Sequence, residues 1–174
     1  MKARAMMQNE LLVNSVRFIT LVLVQVLLLN HINFLGYINP YIYILFILTF
    51  PLTANKSLLI FLSFLLGLTI DMFADSGGIH AAASVLIGYA RPAVLKFSFG
   101  VSYEYNTIKI STAHLAQQFT YVAIMVLIHH LVLFSLEIFS ADHILLILKS
   151  TLFSGIFTVV LCLITIQLFG KRSR

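Results

Sequence analysis

The sequence predicts an all-α polytopic membrane protein: six transmembrane helices, both termini in the cytoplasm, a single domain over residues 1–174. Three observations carry this. Of 174 residues, 60% are hydrophobic and only 10% charged, with a mean hydropathy of +1.02. A soluble domain holds roughly 45–50% apolar and about 25% charged residues, and a chain this short cannot hide the excess in a core. Apolar stretches of membrane-crossing length then recur between short polar turns. Finally, the basic residues fall on one side once alternate turns are assigned to opposite faces. Lipid as solvent excludes a soluble enzyme, a nucleic-acid reader and a disordered regulator. The lone Cys162 excludes an internal disulfide and a cysteine-based zinc site.

A transmembrane helix needs roughly 17–25 mostly apolar residues. No Asp, Glu, Lys or Arg occurs between Phe18 and Asn55, which is too long for one helix. The polar run Asn30-His31-Ile32-Asn33 through Asn39-Pro40 divides it. Asn39-Pro40 reads as a helix start, with Asn capping and Pro at the first helical position. Span 1 is therefore 14–29 and span 2 is 40–53, with Pro51 in its last turn. Span 1 lacks the small residues of a cleavage site and is expected to stay uncleaved. After the turn Ala54-Asn55-Lys56, span 3 covers 57–73. Asp75 or Ser76 caps span 4 at 78–95, which passes Pro92. The one long loop follows, with Ser102-Tyr103-Glu104-Tyr105 and Ile108-Lys109-Ile110 as an interfacial segment. Span 5 is 112–136 and span 6 is 144–169.

Orientation follows from the basic residues, which gather on the cytoplasmic side. Lys2, Arg4, Arg17, Lys56, Arg91, Lys96, Lys109, Lys171, Arg172 and Arg174 fall inside, and Lys149 alone falls outside. The outer turns carry Asp71, Asp75, Glu137 and Asp142. The net charge of +5 is thus a topology signal, not a nucleic-acid face.

Span 4 is dense in small residues, with Gly77/Ala81, Gly78/Ala82 and Ser84/Gly88 at small-xxx-small spacing. Helices in lipid associate through such close approaches, which places span 4 centrally, against span 3 through Gly67. Asp71, about one turn from the end of span 3, reads as a clamp on the free N–H groups that open span 4; a transport or catalytic carboxylate is the alternative. His80 is within its reach. Arg91 reads as a snorkelling anchor, with a cytoplasmic docking point as the alternative. His129 and His130 are neighbours on a helix and point about 100° apart, so they share no metal. No nucleophile elbow, phosphate loop or zinc-protease motif occurs. Neither a cofactor nor a metal is expected, and no enzymatic activity.

The run Gly67-Leu68-Thr69-Ile70-Asp71, then Gly78-Ile79-His80-Ala81, then Leu86-Ile87-Gly88-Tyr89, resembles the rod shape-determining MreD family. Chain length and span plan resemble it too. The resemblance implies a fold like the substrate-binding subunits of energy-coupling-factor transporters. It further implies residence in the bacterial inner membrane and a non-catalytic part in the cell-elongation machinery. MreC would be the direct partner, with the actin-like MreB and the cell-wall synthases reached through it. Gly67, Asp71, Gly78, Ala82, Gly88, Tyr89 and Arg91 are the structural or partner-contact residues. A solute- or vitamin-binding transporter subunit is the alternative.

Overall fold

The computed structural model describes residues 2–30, 32, 34–36, 38–100, 103 and 110–169, with side chains from residue 11 onward except that of Ala141. The expectations for Ser102, Glu104, Tyr105, Lys109, Lys171, Arg172 and Arg174, and for the side chains of Lys2 and Arg4, lie outside these. The described chain is helical, with one isolated antiparallel bridge between Phe34 and Ile38. Four helical stretches are long and apolar enough to cross a bilayer: Leu11–Leu29, Lys56–Ala74, Leu115–Ile138 and Ile144–Phe169. The protein is membrane-embedded.

Helix α1 runs Lys2–Val24 and continues through a π-turn, Gln25–Leu29. It begins earlier than the expected residue 14, because residues 2–13 hold no Gly or Pro and are mostly good helix formers. The π-turn, closed by the Asn30 N–H on the Gln25 carbonyl at 2.8 Å, leaves Gln25 fully buried. Its Nε2 donates to Asn30 Oδ1 (2.8 Å) and to the Pro40 carbonyl (3.2 Å).

The second apolar stretch departs from expectation. Helix α2 covers only Ile44–Thr49 of the expected 40–53. Asn39-Pro40 does not open it. The Asn39 N–H donates instead to Ser154 Oγ (3.1 Å) and the Tyr41 N–H to Thr158 Oγ1 (3.0 Å). Pro40, lacking an N–H, sits between the two. Tertiary hydroxyls thus satisfy an extended backbone that lipid never would. The helix stops at Phe50 because the residue before a proline is pushed out of the helical region; Phe50 has ψ 144° and Pro51 lies beyond the helix, not in its last turn. Residues 39–50 thread the interior, and Tyr43, Ile44, Ile47 and Leu48 are wholly buried.

Helix α3 (Lys56–Ala74) is capped by Asn55, whose Oδ1 accepts the Ser57 N–H at 2.8 Å. It ends at Asp75 in the left-handed conformation. Helix α4 (Ile79–Phe99) continues through Pro92 and ends at Gly100. Its Arg, Lys and Pro keep it out of the set of strongly apolar helices. Helix α5 (Leu115–Ile138) starts at His114, not 112, since residues 110–112 form a 3-10 turn; α6 is Ile144–Phe169. Packing runs α3 on α4, α4 on α5 and α5 on α6, while α1 leans on α2 and α3.

The α3–α4 contact is set by two glycines. A Cβ on Gly67 would meet the backbone of α4, at the His80 carbonyl and 2.6 Å from the Ala81 nitrogen. One on Gly88 would meet the Ser63 side chain, 2.7 Å from Oγ. A backbone cannot swing aside as a serine can. Gly67→Ala should therefore cost about 3 kcal/mol and Gly88→Ala about 1 kcal/mol, the two ends of the usual overpacking range. Thermal unfolding of both variants in one detergent checks the order; equal midpoints would contradict it.

Candidate functional site

The polar groups of this bundle are concentrated inside it, in two clusters joined by the threaded segment. The first lies where α3 turns into α4. Asp71 is 5% exposed, and its Oδ1 accepts from Ser76 Oγ (2.6 Å), the His80 N–H (3.0 Å) and His80 Nδ1 (3.0 Å). Its Oδ2 accepts the Ala81 N–H at 2.9 Å. A carboxylate on α3 thus caps the positive end of α4 across the turn. Neither Asp75 nor Ser76 is the cap expected there. Gly78 occupies the cap position at φ +98° with no side chain to offer. Gly78 therefore acts through backbone conformation and not through packing, since nothing lies within 4 Å of its Cβ position.

Beside this clamp the rings of Tyr41 and Tyr43 stand 5.7 Å and 5.9 Å from the His80 ring. The Tyr43 hydroxyl bonds His129 Nε2 at 2.7 Å. His130 turns away, as adjacent helical positions must. Its Nδ1 lies 3.0 Å from the Val126 carbonyl and its Nε2 3.1 Å from Thr158 Oγ1. His129 and His130 are both wholly buried, and His129 Nδ1 has no partner.

The second cluster lies at the other end of the threaded segment. Arg91 is 4% exposed, so it does not snorkel. Its Nη2 donates to the Leu48 carbonyl (3.3 Å) and to the Phe50 carbonyl, and its Nε donates to the Tyr121 hydroxyl (3.1 Å). Tyr121 in turn donates to the Leu48 carbonyl at 3.0 Å. Pro51 ends α2 and frees those carbonyls, and the cation sits at the negative end of the short helix. Arg17 adds to this end by donating from Nη1 to the Thr49 carbonyl and Oγ1 at 3.2 Å and 3.1 Å. Gln167 Nε2 ties α6 to α5 through Gln118 Oε1 at 2.7 Å.

The residues singled out in the sequence thus divide. Gly67, Asp71, Gly88 and Arg91 face the interior, and Gly67 and Asp71 meet the same turn of α4. Ala82 and Tyr89 face outward, Tyr89 being 63% exposed. The Gly78/Ala82 pair therefore does not build the bundle's own packing, whereas Ser84 and Gly88 are buried. The sequence reading missed Tyr41, Tyr43, His129, His130 and Tyr121 as partners. The available signal was their cost in lipid: two adjacent histidines inside an apolar run demand partners. Among the described residues no group of three His, Cys, Asp or Glu side chains is placed to hold a metal ion.

The clefts are of another character. One of about 660 Å³ lies between α1 and α3, lined mainly by Phe18, Ile19, Phe46, Phe50, Leu62 and Leu65. Another of about 440 Å³ lies between the end of α1 and α6, lined by Leu29, Phe34, Pro40, Phe157, Val160 and their neighbours. Both are mainly apolar. Comparison with protein-family models, with curated proteins and with solved structures finds no match to this chain.

Proposed function

We propose that this protein is a non-catalytic integral component of a bacterial cell-elongation complex in the inner membrane. It binds MreC and, through it, supports lateral wall synthesis by MreB and the synthases. The observation that carries the reading is the employment of the interior polar groups. Asp71 and Arg91 each close a helix end, and the large clefts offer a water-soluble substrate few convergent polar groups. What remains for work is the outer surface, including the stripe Ala82, Leu86, Tyr89 and Phe97 along α4. The resemblance of the Gly67–Asp71 and Gly78–Tyr89 motifs to MreD supplies the setting.

The same proposal holds six crossings, with residues 39–50 as the second and α4 as the fourth. Both termini are cytoplasmic, on the distribution of basic residues. The arrangement is that of energy-coupling-factor substrate subunits. One observation favours the second reading, a solute-binding transporter subunit: His129 Nδ1 and Thr151 Oγ1 are buried without partners, as groups awaiting a polar ligand would be. Depletion in the native host separates the readings. Loss of rod shape with normal vitamin uptake is expected. Normal shape with failed uptake of one solute would move the assignment to the transporter.

A further inference from the structure

The larger cleft has a polar end and an apolar end. Arg17 bonds Thr49, and the Phe18 ring meets that of Phe46 at 5.3 Å, so α1 and the short α2 run in opposite directions. Asn14 and Ser15, earlier on α1, therefore lie toward Thr53, beyond the end of α2, and all three line the cleft. Past Arg17 the lining is apolar: Phe18, Ile19 and Phe46, then Leu62 and Leu65 on α3. The polar end is also where the apolar stretches of α1 and α3 begin, at Leu11 and Lys56.

Phe46 and Phe50 are buried in its floor, whereas Leu11, Ile19 and Leu58 are 65%, 57% and 45% exposed. The cleft is thus a surface feature, and on a membrane-embedded chain the medium at such a surface is lipid. Its volume, about 660 Å³, falls within the roughly 300–1,000 Å³ of small-molecule sites. From Leu58 to Leu65 its wall is about 10 Å long. That is about two thirds of one leaflet's hydrocarbon depth, which is half of about 30 Å.

Arg17 stands half-buried at the polar end. Its Nη1 serves the Thr49 carbonyl and hydroxyl, and among the described residues no carboxylate pairs with it. A guanidinium presents five N–H donors, so donors remain for a phosphate, which the planar fork can hold through two parallel bonds. Lys56, at the same end, is engaged with α4 instead, its Nζ 4.4 Å from the centre of the Tyr89 ring. We propose that this cleft binds an anionic phospholipid, with the phosphate on Arg17 and one acyl chain along Phe18, Phe46, Leu62 and Leu65. A zwitterionic headgroup brings its own ammonium, which competes with Arg17 for the phosphate charge, so a phosphatidylglycerol-type lipid is favoured. This does not depend on the cell-elongation reading.

The chain contains no Trp, so a single introduced one reports its own surroundings. Ile19→Trp places a reporter at the cleft, and Leu127→Trp places one on α5 away from it, where Leu127 is 56% exposed. The full chain is reconstituted in phosphatidylcholine bilayers in which a minor fraction of the lipid is brominated phosphatidylglycerol or, in parallel, brominated phosphatidylcholine. Quenching then gives the relative affinity of each position for the two lipids. The expected result is about a fivefold preference for phosphatidylglycerol at Ile19, equivalent to the ~1 kcal/mol that one basic residue contributes toward anionic lipid. No preference is expected at Leu127. Arg17→Gln should abolish the preference at Ile19, and Lys56→Gln should keep it. Equal preference at both reporters, or a preference that follows Lys56 rather than Arg17, overturns the site. So does the absence of quenching at Ile19 by either lipid, the result if a second copy of the chain filled the cleft. Should Arg17→Gln fail to fold, the two reporters still decide: preference confined to Ile19 supports the site, and its absence overturns it.

Discussion

Replacing Asp71 with Leu should remove most of the protein's stability, because four donors lose their acceptor in one step. The Ser76 hydroxyl, the His80 N–H and Nδ1 and the Ala81 N–H all converge on this carboxylate. Bonds to a charged group contribute about 1.5–3 kcal/mol each, and stripping one partner from a buried charged network costs about 3–5 kcal/mol. Asp71→Asn keeps one acceptor oxygen, which can serve the three donors at Oδ1. Its amide then turns an N–H toward that of Ala81, so about half the loss is expected. Thermal midpoints in detergent, with expression matched, should rank wild type above Asn and Asn above Leu. A carboxylate serving chemistry instead would leave folding intact in all three while Asn and Leu abolish function alike.

The second large effect is expected at Arg91. Its guanidinium reaches two carbonyls and a phenol at once, on the Leu48, Phe50 and Tyr121 groups. A lysine ammonium is a point charge that cannot span that fork. Arg91→Lys should therefore lose about 2 kcal/mol although the charge is kept, the equivalent of one or two charge-assisted bonds. Arg91→Met should lose a similar or larger amount, since the Phe50 carbonyl is left bare. Because the threaded segment ends here, loosened exchange should appear first at residues 47–50. A snorkelling anchor would behave otherwise: Lys would match wild type, since both side chains reach the interface equally well.

The contrast between these two charges shows what the sequence could convey. Asp71 was legible as a clamp because its partner is local, a helix beginning a few residues later. Arg91 was not, because its partners are distant in the chain: Tyr121 is thirty residues away, and the Leu48 and Phe50 carbonyls are more than forty away and are free only because Pro51 halts α2. The helices at 57–73 and 144–169 were plain from hydropathy, and the structure places α3 and α6 over them. Residues 40–53 were equally apolar but form mostly non-helical backbone. Hydropathy records burial and is blind to whether the N–H groups pair along the chain or with hydroxyls such as Ser154 and Thr158. The histidines gave the same difficulty. Their spacing argued correctly that His129 and His130 diverge, yet nothing local named Tyr43 or Thr158 as their partners.

Purification of this protein from native membranes tests the proposed role most directly. The account predicts that MreC from the same cell copurifies in a stable complex. That complex should persist in high salt, because apolar packing is not screened as exposed charge pairs are. Absence of MreC, together with tight binding of a water-soluble vitamin by the isolated protein, would contradict it.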